Sequence, residues 1–283
     1  MFNHRAHREH GERMEEERIY SWKEFEDAIE SVQTNQGENS SALLFRGHAY
    51  SDWKLESTLD RFLNDRAVSN KEWTQQQYHK LLEKISPAIN SYIGNMFSPL
   101  GLYSDKSYIA KAHEFMIYLR HHGFPSPLLD WTKSPYIAAF FAFNDAKNAK
   151  EEIKQRHPAI FTFQEYSDSI KCSPIGEPKI STSAIHIEKP TKRHLIQQCE
   201  YTVCLKENIF QEPDLNKVTY ASYNDVDFVK GQDTLTKYKI SYNERDKVMA
   251  KLDAMNINAF TLFGNEEGLA SMLAYREIEK LSY

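Results

Sequence analysis

The feature that most constrains this fold is a run of eight apolar residues, Tyr136 to Phe143. Ser134 and Pro135 precede it directly. This order is typical of a helix start, because serine caps the first turn and proline fits the first helical position. A helix that is apolar on every side is buried. The run is also well short of the roughly 20 residues that cross a bilayer. The chain must therefore build an enclosed core around this helix.

The composition is that of a chain able to build such a core. It has 283 residues, of which 41% are hydrophobic and 27% charged, which excludes disordered and collagen-like chains. Three cysteines without a Cys-x-x-Cys pair predict reduced thiols and no metal site. A net charge of −5 is not typical of a dedicated nucleic-acid binder. The N-terminus has no apolar secretory segment, so we expect a cytoplasmic protein without a membrane partner.

Helical patterns dominate the first half. A capping box opens a helix from Ser21 to about Gln33. A second pattern runs from 70 to 97, where Pro87 is expected to divide it into two helices. A third helix begins at Ser107 and stops at Gly123, because glycine is favoured just past a helix end.

Strand-length segments follow mainly in the second half. Beyond one early strand at 42–45, they are 159–163, 183–188, 201–205 and 238–242. Two amphipathic helices, 244–255 and 266–281, close the chain. This order, without alternation of strand and helix, indicates an α+β fold: a single domain with a mostly antiparallel sheet flanked by helices. We assign residues 1–18 to a charged tail and residues 19–283 to this domain.

The first candidate site residues are Arg46 and Gly47, directly after the early strand. A guanidinium at a strand end suits an anion or a phosphate. The glycine permits close approach of the backbone to a ligand. The alternative is a structural arginine paired with a carboxylate such as Asp130.

A second cluster is expected in the loop before the buried helix. It contains His122, Asp130 and Thr132, and polar groups on a loop held by a rigid scaffold are typical of functional sites. The alternative is that Asp130 or Thr132 caps the buried helix. We predict that Arg46 and this loop line one pocket, with Gln197 or Gln198 opposite.

Two stretches of the chain resemble the FRG domain family, bacterial proteins named after a Phe-Arg-Gly motif. They are LLFRGHAYSDWKLESTLDRF and, later, HHGFPSPLLDWTKSPYIAAFFAF. Residues 193–201 and a segment near 261–270 also resemble the family. The whole resemblance covers about Ser21 to Leu273. Ser126-Pro127 stands where Thr-Arg is usual, and Cys199 where glycine is usual. Membership implies a bacterial or phage origin, a toxin or phage-defence setting, and an antitoxin or defence-system partner.

A further resemblance concerns the reaction. Arg46, Ser181-Thr182-Ser183 and Gln198-x-Glu200 are similar to the R, S-T-S and Q/E-x-E elements of one clade of ADP-ribosyltransferases. The resemblance implies NAD as substrate and a protein or nucleic acid as target. Arg46 would bind the NAD phosphates, the serine-threonine strand would support the nicotinamide pocket, and Glu200 would stabilise the oxocarbenium ion.

The candidate residues divide into two groups. The catalytic group is Arg46, Gln198 and Glu200. The substrate-binding group is Gly47, His122, Asp130, Thr132, Ser181, Thr182, Ser183 and Gln197. The alternative function is a noncatalytic module that binds a nucleotide, a nucleic acid or a protein. A nuclease is a third reading, although the sequence has no typical metal-binding carboxylate cluster for it.

Overall fold

The structure is a computed structural model, and it describes most of the chain. The described residues are 18–34, 41–66, 72–94, 97, 106–146, 156–166, 177–182, 192–207, 218–226, 228 and 233–280. Ser183, the expected strand 183–188 and all but the last residue of the predicted tail lie outside these ranges. None of the helices in these ranges combines the length and the apolar character needed to cross a membrane.

Helices and strands are both abundant among the described residues. The strands are β1 (Ile19–Tyr20), β2 (Leu44–His48), β3 (Leu129–Thr132), β4 (Ala159–Gln164), β5 (Lys179–Thr182), β6 (Cys199–Glu207), β7 (Val218–Tyr220) and β8 (Thr234–Ile240). The helices are α1 (Trp22–Thr34), α2 (Thr58–Asp65), α3 (Gln75–Ile93), α4 (Lys106–His121), α5 (Pro135–Asn144), α6 (Lys192–Ile196), α7 (Arg245–Ala254), α8 (Ala259–Phe263) and α9 (Glu266–Ala274).

These elements form two compact units. The first unit takes Met1–Trp53, Ser134–Gln164 and Leu235–Tyr283, as far as these are described. Its strands lie in the order β1-β8-β4-β2, with β1 parallel to β8 and β2 antiparallel to β4. The second unit takes Lys54–Lys133 and Glu165–Thr234. Its strands lie in the order β3-β6-β5, β7 also pairs with β6, and these pairs are antiparallel. The expected α+β fold with mostly antiparallel strands is confirmed, and the tail boundary stays a prediction.

Helix α5 lies in the core of the first unit, as its sequence predicts. Ser134 caps it by accepting a hydrogen bond from the Ile137 amide at 3.3 Å, and Pro135 occupies its first turn. Phe140 and Phe143 are buried among side chains of α1, β2, β4, β8 and α7. The all-round apolar helix is therefore enclosed within its own unit.

The backbone of β2 passes unusually close to α5 at Gly47. A Cβ atom added there would lie 1.9 Å from the Ala138 carbonyl oxygen and 2.7 Å from the Ala142 nitrogen. Real Cβ atoms do not approach backbone atoms so closely, so any side chain would force β2 and α5 apart. The glycine of the Phe-Arg-Gly motif is thus explained by helix packing, and its predicted part in substrate binding stays a prediction.

Helix α3 is continuous, so the predicted division at Pro87 is wrong. Proline removes one backbone donor from the helix. However, α3 has buried side chains on both sides of the proline, including Leu82 and Asn90. The side chain of Asn90 also exchanges hydrogen bonds with the Phe97 backbone, at 3.1 Å each. The burial of these side chains and the hydrogen bonds of Asn90 compensate for the one backbone hydrogen bond that Pro87 cannot donate.

Two buried histidines in the second unit make its stability sensitive to acid. Burial, together with the charge that His113 would carry, lowers the pKa of His79 to about 4. Burial also lowers the pKa of His113 to about 4. Both side chains are therefore neutral in the native chain at pH 7.

We expect the free energy of unfolding to fall as the pH decreases from 6.5 towards 4. In this window the unfolded chain binds protons that native His79 and His113 do not bind, so the stability that is present above pH 6.5 is lost. The loss is roughly a few kcal/mol at the acid end. Urea unfolding across this range measures it, and the double variant His79→Gln/His113→Gln should show a shallower dependence. Identical pH profiles for the two proteins would contradict this assignment.

Candidate functional site

The candidate site in the second unit lies on the paired strands β3 and β6. Asp130 is opposite Tyr201 and Thr132 is opposite Cys199. Side chains at opposite positions share a face of a sheet, so these four residues project to the same side. The sequence predicted a loop for this segment, which is wrong: residues Leu129–Thr132 form β3. Four residues between proline-rich stretches carry too little pattern to show a strand, and only the pairing with β6 defines it.

A buried arginine holds Asp130 in place. The Arg120 Nε atom donates a hydrogen bond to Asp130 Oδ1, and its Nη1 atom donates to the Thr58 hydroxyl at 2.9 Å. The Arg120 side chain is only 7% exposed, whereas that of Asp130 is 35% exposed. Asp130 therefore presents a fixed carboxylate to the surface, and the helix cap comes from Ser134 instead.

The Tyr201 hydroxyl lies between two histidines. It is 3.0 Å from His121 Nε2 and 3.2 Å from His194 Nδ1. The His194 ring also stacks on the Tyr201 ring, with 13° between their planes. Burial lowers the pKa of both imidazoles and raises that of the Tyr201 hydroxyl. All three groups are therefore neutral near pH 7, and the Tyr201 hydroxyl contacts a ring nitrogen of each histidine.

A tight turn joins α6 to β6 and is fastened to the end of β3. The Thr132 hydroxyl donates to the Gln197 carbonyl at 2.7 Å, and the Lys133 amide donates to the Gln198 carbonyl at 3.1 Å. Gln198 has a φ of 49°, which is rare for a residue with a side chain. The predicted residues Thr132, Gln197 and Gln198 are thus brought together, with Gln198 exposed and Gln197 buried.

Glu200 lies on β6, opposite Trp131, on the other side from Tyr201. Its carboxylate forms an ion pair with Lys133, Oε1 to Nζ, at 2.6 Å, and its side chain is 29% exposed. The carboxylate is therefore oriented by a cation and remains accessible.

Strand β5 brings Ser181 and Thr182 beside β6. Thr182 is opposite Thr202, and Ser181 is opposite Val203. The Thr182 amide donates to the Glu165 carboxylate at 2.9 Å, and the Thr182 hydroxyl donates to the same oxygen. Because Glu200 is two residues before Thr202, Thr182 and Glu200 are diagonal neighbours on one face, about 7–8 Å apart.

The remaining predicted residues lie elsewhere. Arg46 is in β2 of the first unit, where its Nε atom donates to His48 Nε2 at 3.1 Å. His122, exposed after α4, has its ring centroid 4.4 Å from that of Tyr118. The predicted pocket that joins Arg46 to Asp130 stays a prediction.

Several polar groups around the site are not among the predicted site residues. They are Arg120, Glu165 and the Tyr201 hydroxyl, together with His121 and Lys133, which belong to the predicted polar cluster but were not assigned a role. His121 precedes Tyr201 by 80 residues, so no local spacing could have shown that their polar atoms meet. Tyr201 is buried at 2% exposure, as an apolar position of a strand would be, and an alternating sequence pattern says nothing about where its hydroxyl lies. Cys199 is a free, buried cysteine, as predicted, and burial raises the pKa of its thiol to about 12.

Comparison with known proteins supports one family. Residues 41–151 match the family model of the FRG domain. This range includes β2 with its Phe45-Arg46-Gly47 motif, β3 and the buried helix α5. Comparison with curated proteins and with solved structures finds no match. The expected extension of the resemblance to 193–201 and 261–270 stays a prediction. The chain thus carries an FRG domain over residues 41–151, and the predicted family is confirmed.

Proposed function

We propose that this FRG-domain protein is an ADP-ribosyltransferase-like enzyme that consumes NAD, with its chemistry centred on Glu200. The observation that carries the proposal is the placement of Thr182 and Glu200 as diagonal neighbours on adjacent strands. The transferase resemblance requires a serine-threonine strand beside the catalytic glutamate. The pairing of β5 with β6 supplies that arrangement, although these residues stand 18 positions apart in the chain.

The Glu200 carboxylate suits the charge that develops in this reaction. When the bond between the ribose and nicotinamide breaks, positive charge spreads over C1′ and the ring oxygen of the ribose. A carboxylate fixed before the reaction stabilises that charge without reorganisation. Lys133 holds one oxygen of Glu200 and so orients the group. Thr182, oriented by Glu165, forms the adjacent wall of the nicotinamide pocket.

The acceptor of ADP-ribose in this proposal is a protein or a nucleic acid, and the setting is a bacterial toxin or phage-defence system. An antitoxin or a second defence component would then control the activity. Expression in bacteria tests this setting, because wild-type protein should slow growth more than the Glu200→Gln variant at equal protein level.

The experiment that tests the activity is nicotinamide release from labelled NAD in the presence of a cell lysate. We expect release together with transfer of label to a macromolecule. Glu200→Gln should lower the rate about 100-fold or more while NAD still binds, because only the charge is removed. The matched control is Glu207→Gln, an exposed carboxylate on the same strand, which should not alter the rate. Arg46→Ala tests the predicted phosphate anchor through the loss of NAD binding.

Two results would overturn the proposal. If NAD is neither bound nor consumed at concentrations up to about 1 mM, the top of the ordinary KM range, the noncatalytic binding module replaces the enzyme. If the Glu200→Gln variant keeps the full rate, Glu200 is not the catalytic carboxylate. The Glu165→Gln variant then tests whether Glu165, which accepts hydrogen bonds from Thr182, has that role.

A further inference from the structure

The first unit contains an open cavity between α7 and the C-terminal end of the described chain. Its volume is about 270 Å³. A cavity of roughly 150 Å³ already accommodates benzene, so this one has room for an aromatic ring with a substituent. Its walls are mainly aliphatic and aromatic side chains, namely Phe140, Met249, Ile257, Met272 and Ile278. An apolar cavity with a few polar groups is typical of a site for a small molecule.

Arg245 is the buried cation of this cavity. Its side chain lines the cavity and is only 7% exposed. Its Nε atom donates a hydrogen bond to the Phe143 carbonyl at 3.1 Å, and its Nη1 atom donates to the Glu279 carboxylate. Within the part of the chain that the structure describes, the Nη2 amino group donates to no protein atom. Cationic donors form strong hydrogen bonds, so Nη2 can hold an acceptor oxygen of a ligand.

The carboxylates beside Arg245 determine the charge of the ligand that fits. Glu279 pairs with Arg245, and Asp246 Oδ1 lies 3.5 Å from the Nη1 atom of the same side chain. The protein therefore already balances the guanidinium charge. A ligand carboxylate at Nη2 would lie near these anions and be repelled by them, whereas a neutral carbonyl oxygen would not. The site thus favours an uncharged acceptor.

Two hydroxyl groups add to the polar part of the cavity wall. They belong to Ser271 and Tyr275, which both line the cavity. Neither hydroxyl is hydrogen-bonded to a side chain or backbone group of the described ranges. A hydroxyl can accept a hydrogen bond from an amide N–H or donate one to an oxygen. Together with Arg245 Nη2, these groups match the donors and the acceptor of a small amide.

Ion pairs hold one wall of the cavity in place. This wall is a π-helical turn (Tyr275–Glu279) that continues α9. Arg276 of the turn donates to Asp253 of α7 at 2.7 Å, and Glu279 accepts from Arg245 at the start of α7. The turn is thus fastened to α7 at two points, so the cavity is formed before a ligand binds. Turns of this kind are rare and frequently lie at functional sites.

We propose that this cavity binds a small, uncharged and largely apolar molecule that carries a carbonyl group, as an amide or a ketone does. The carbonyl oxygen accepts a hydrogen bond from Arg245 Nη2, and the apolar part packs against Met249 and Met272. These three residues lie outside residues 41–151, which match the FRG domain. The site takes no residue from the strands that carry Glu200 and Thr182, so it does not depend on the proposed function.

The direct test is NMR of the full chain labelled at its methionine methyl groups, with benzamide, benzoate and toluene as probes. Benzoate replaces the neutral amide by a carboxylate of similar shape, and toluene lacks the polar group. We expect benzamide to shift the Met249 and Met272 signals and to bind about 10-fold or more tightly than either other probe. Met255, which is exposed just after α7 and does not line the cavity, is the internal control and should not shift.

The Glu279→Gln variant tests the assigned role of charge. Glutamine no longer balances Arg245, so benzoate should gain about 10-fold or more in affinity and become the preferred probe. The matched control is Glu277→Gln, an exposed carboxylate of the same turn that does not line the cavity. This control should leave the preference for benzamide unchanged.

The Ser271→Leu variant tests the cavity itself. The larger side chain should fill part of the space and weaken benzamide binding about 10-fold or more, while an unchanged Met255 signal reports an intact fold. The proposal is wrong if none of the three probes shifts Met249 and Met272, or if these signals shift together with Met255. Equal binding of benzamide and benzoate, both in wild-type protein and in Glu279→Gln, would also overturn it, because Arg245 would then not select the ligand.

Discussion

Gly47→Ala is expected to destabilise the first unit severely. A methyl group at this position would lie 1.9 Å from the carbonyl oxygen of Ala138 and 2.7 Å from the nitrogen of Ala142. Both neighbours are backbone atoms inside α5, so no side-chain rotation can relieve the overlap. Ordinary overpacking costs about 1–3 kcal/mol, and a clash with backbone should exceed that range. Urea unfolding should show the loss directly, and the expressed variant should accumulate poorly.

The matched control for this variant is Gly94→Ala. Gly94 has a φ of 77° at the end of α3, but a Cβ atom there meets nothing within 4 Å. We expect it to cost only about 1 kcal/mol, through backbone strain. Equal stability of Gly47→Ala and wild-type protein would mean that β2 and α5 do not pack as described.

Phe140→Ala is expected to cost about 3–5 kcal/mol of the free energy of unfolding. Its side chain is 1% exposed, and its ring centroid is 6.2 Å from that of Phe263 in α8. Truncation removes most of the ring contacts and leaves a cavity between α5 and its neighbours. Thermal and urea unfolding measure the loss. Phe260→Ala, at a position that is 42% exposed, is the control and should cost far less. A near-wild-type melting temperature for Phe140→Ala would show that α5 is a surface element.

The predictions that held are those that depend on local chemistry. The capping box at Ser21 is present, with the Ser21 amide donating to Glu24 at 2.8 Å, and α1 follows it. Gly123 ends α4 with a φ of 83°, as its position after the helix predicts. In each case the determining atoms lie within a few residues, so the sequence alone is sufficient.

The predicted end of the early strand was wrong because contacts with distant segments outweighed the local sequence preference. The early strand was expected to end before Arg46, but β2 extends through Gly47 to His48 because β4 pairs with the whole segment. The close approach of α5 explains why glycine is accommodated within that strand. Pairing energy and packing, which come from distant segments, set these boundaries.

By itself, the sequence determined that the chain builds an enclosed core around α5, that its class is α+β, and that it carries an FRG domain. Apolar periodicity, caps and motif residues are local properties, and they are readable in order along the chain. The tertiary structure alone decided that Asp130 pairs with Arg120, that Lys133 orients Glu200, and that His121 meets His194 at Tyr201. These contacts depend on the register of β3 against β6 and on where α4 ends. A shift of one residue would turn each side chain to the other face, and no local pattern specifies that register.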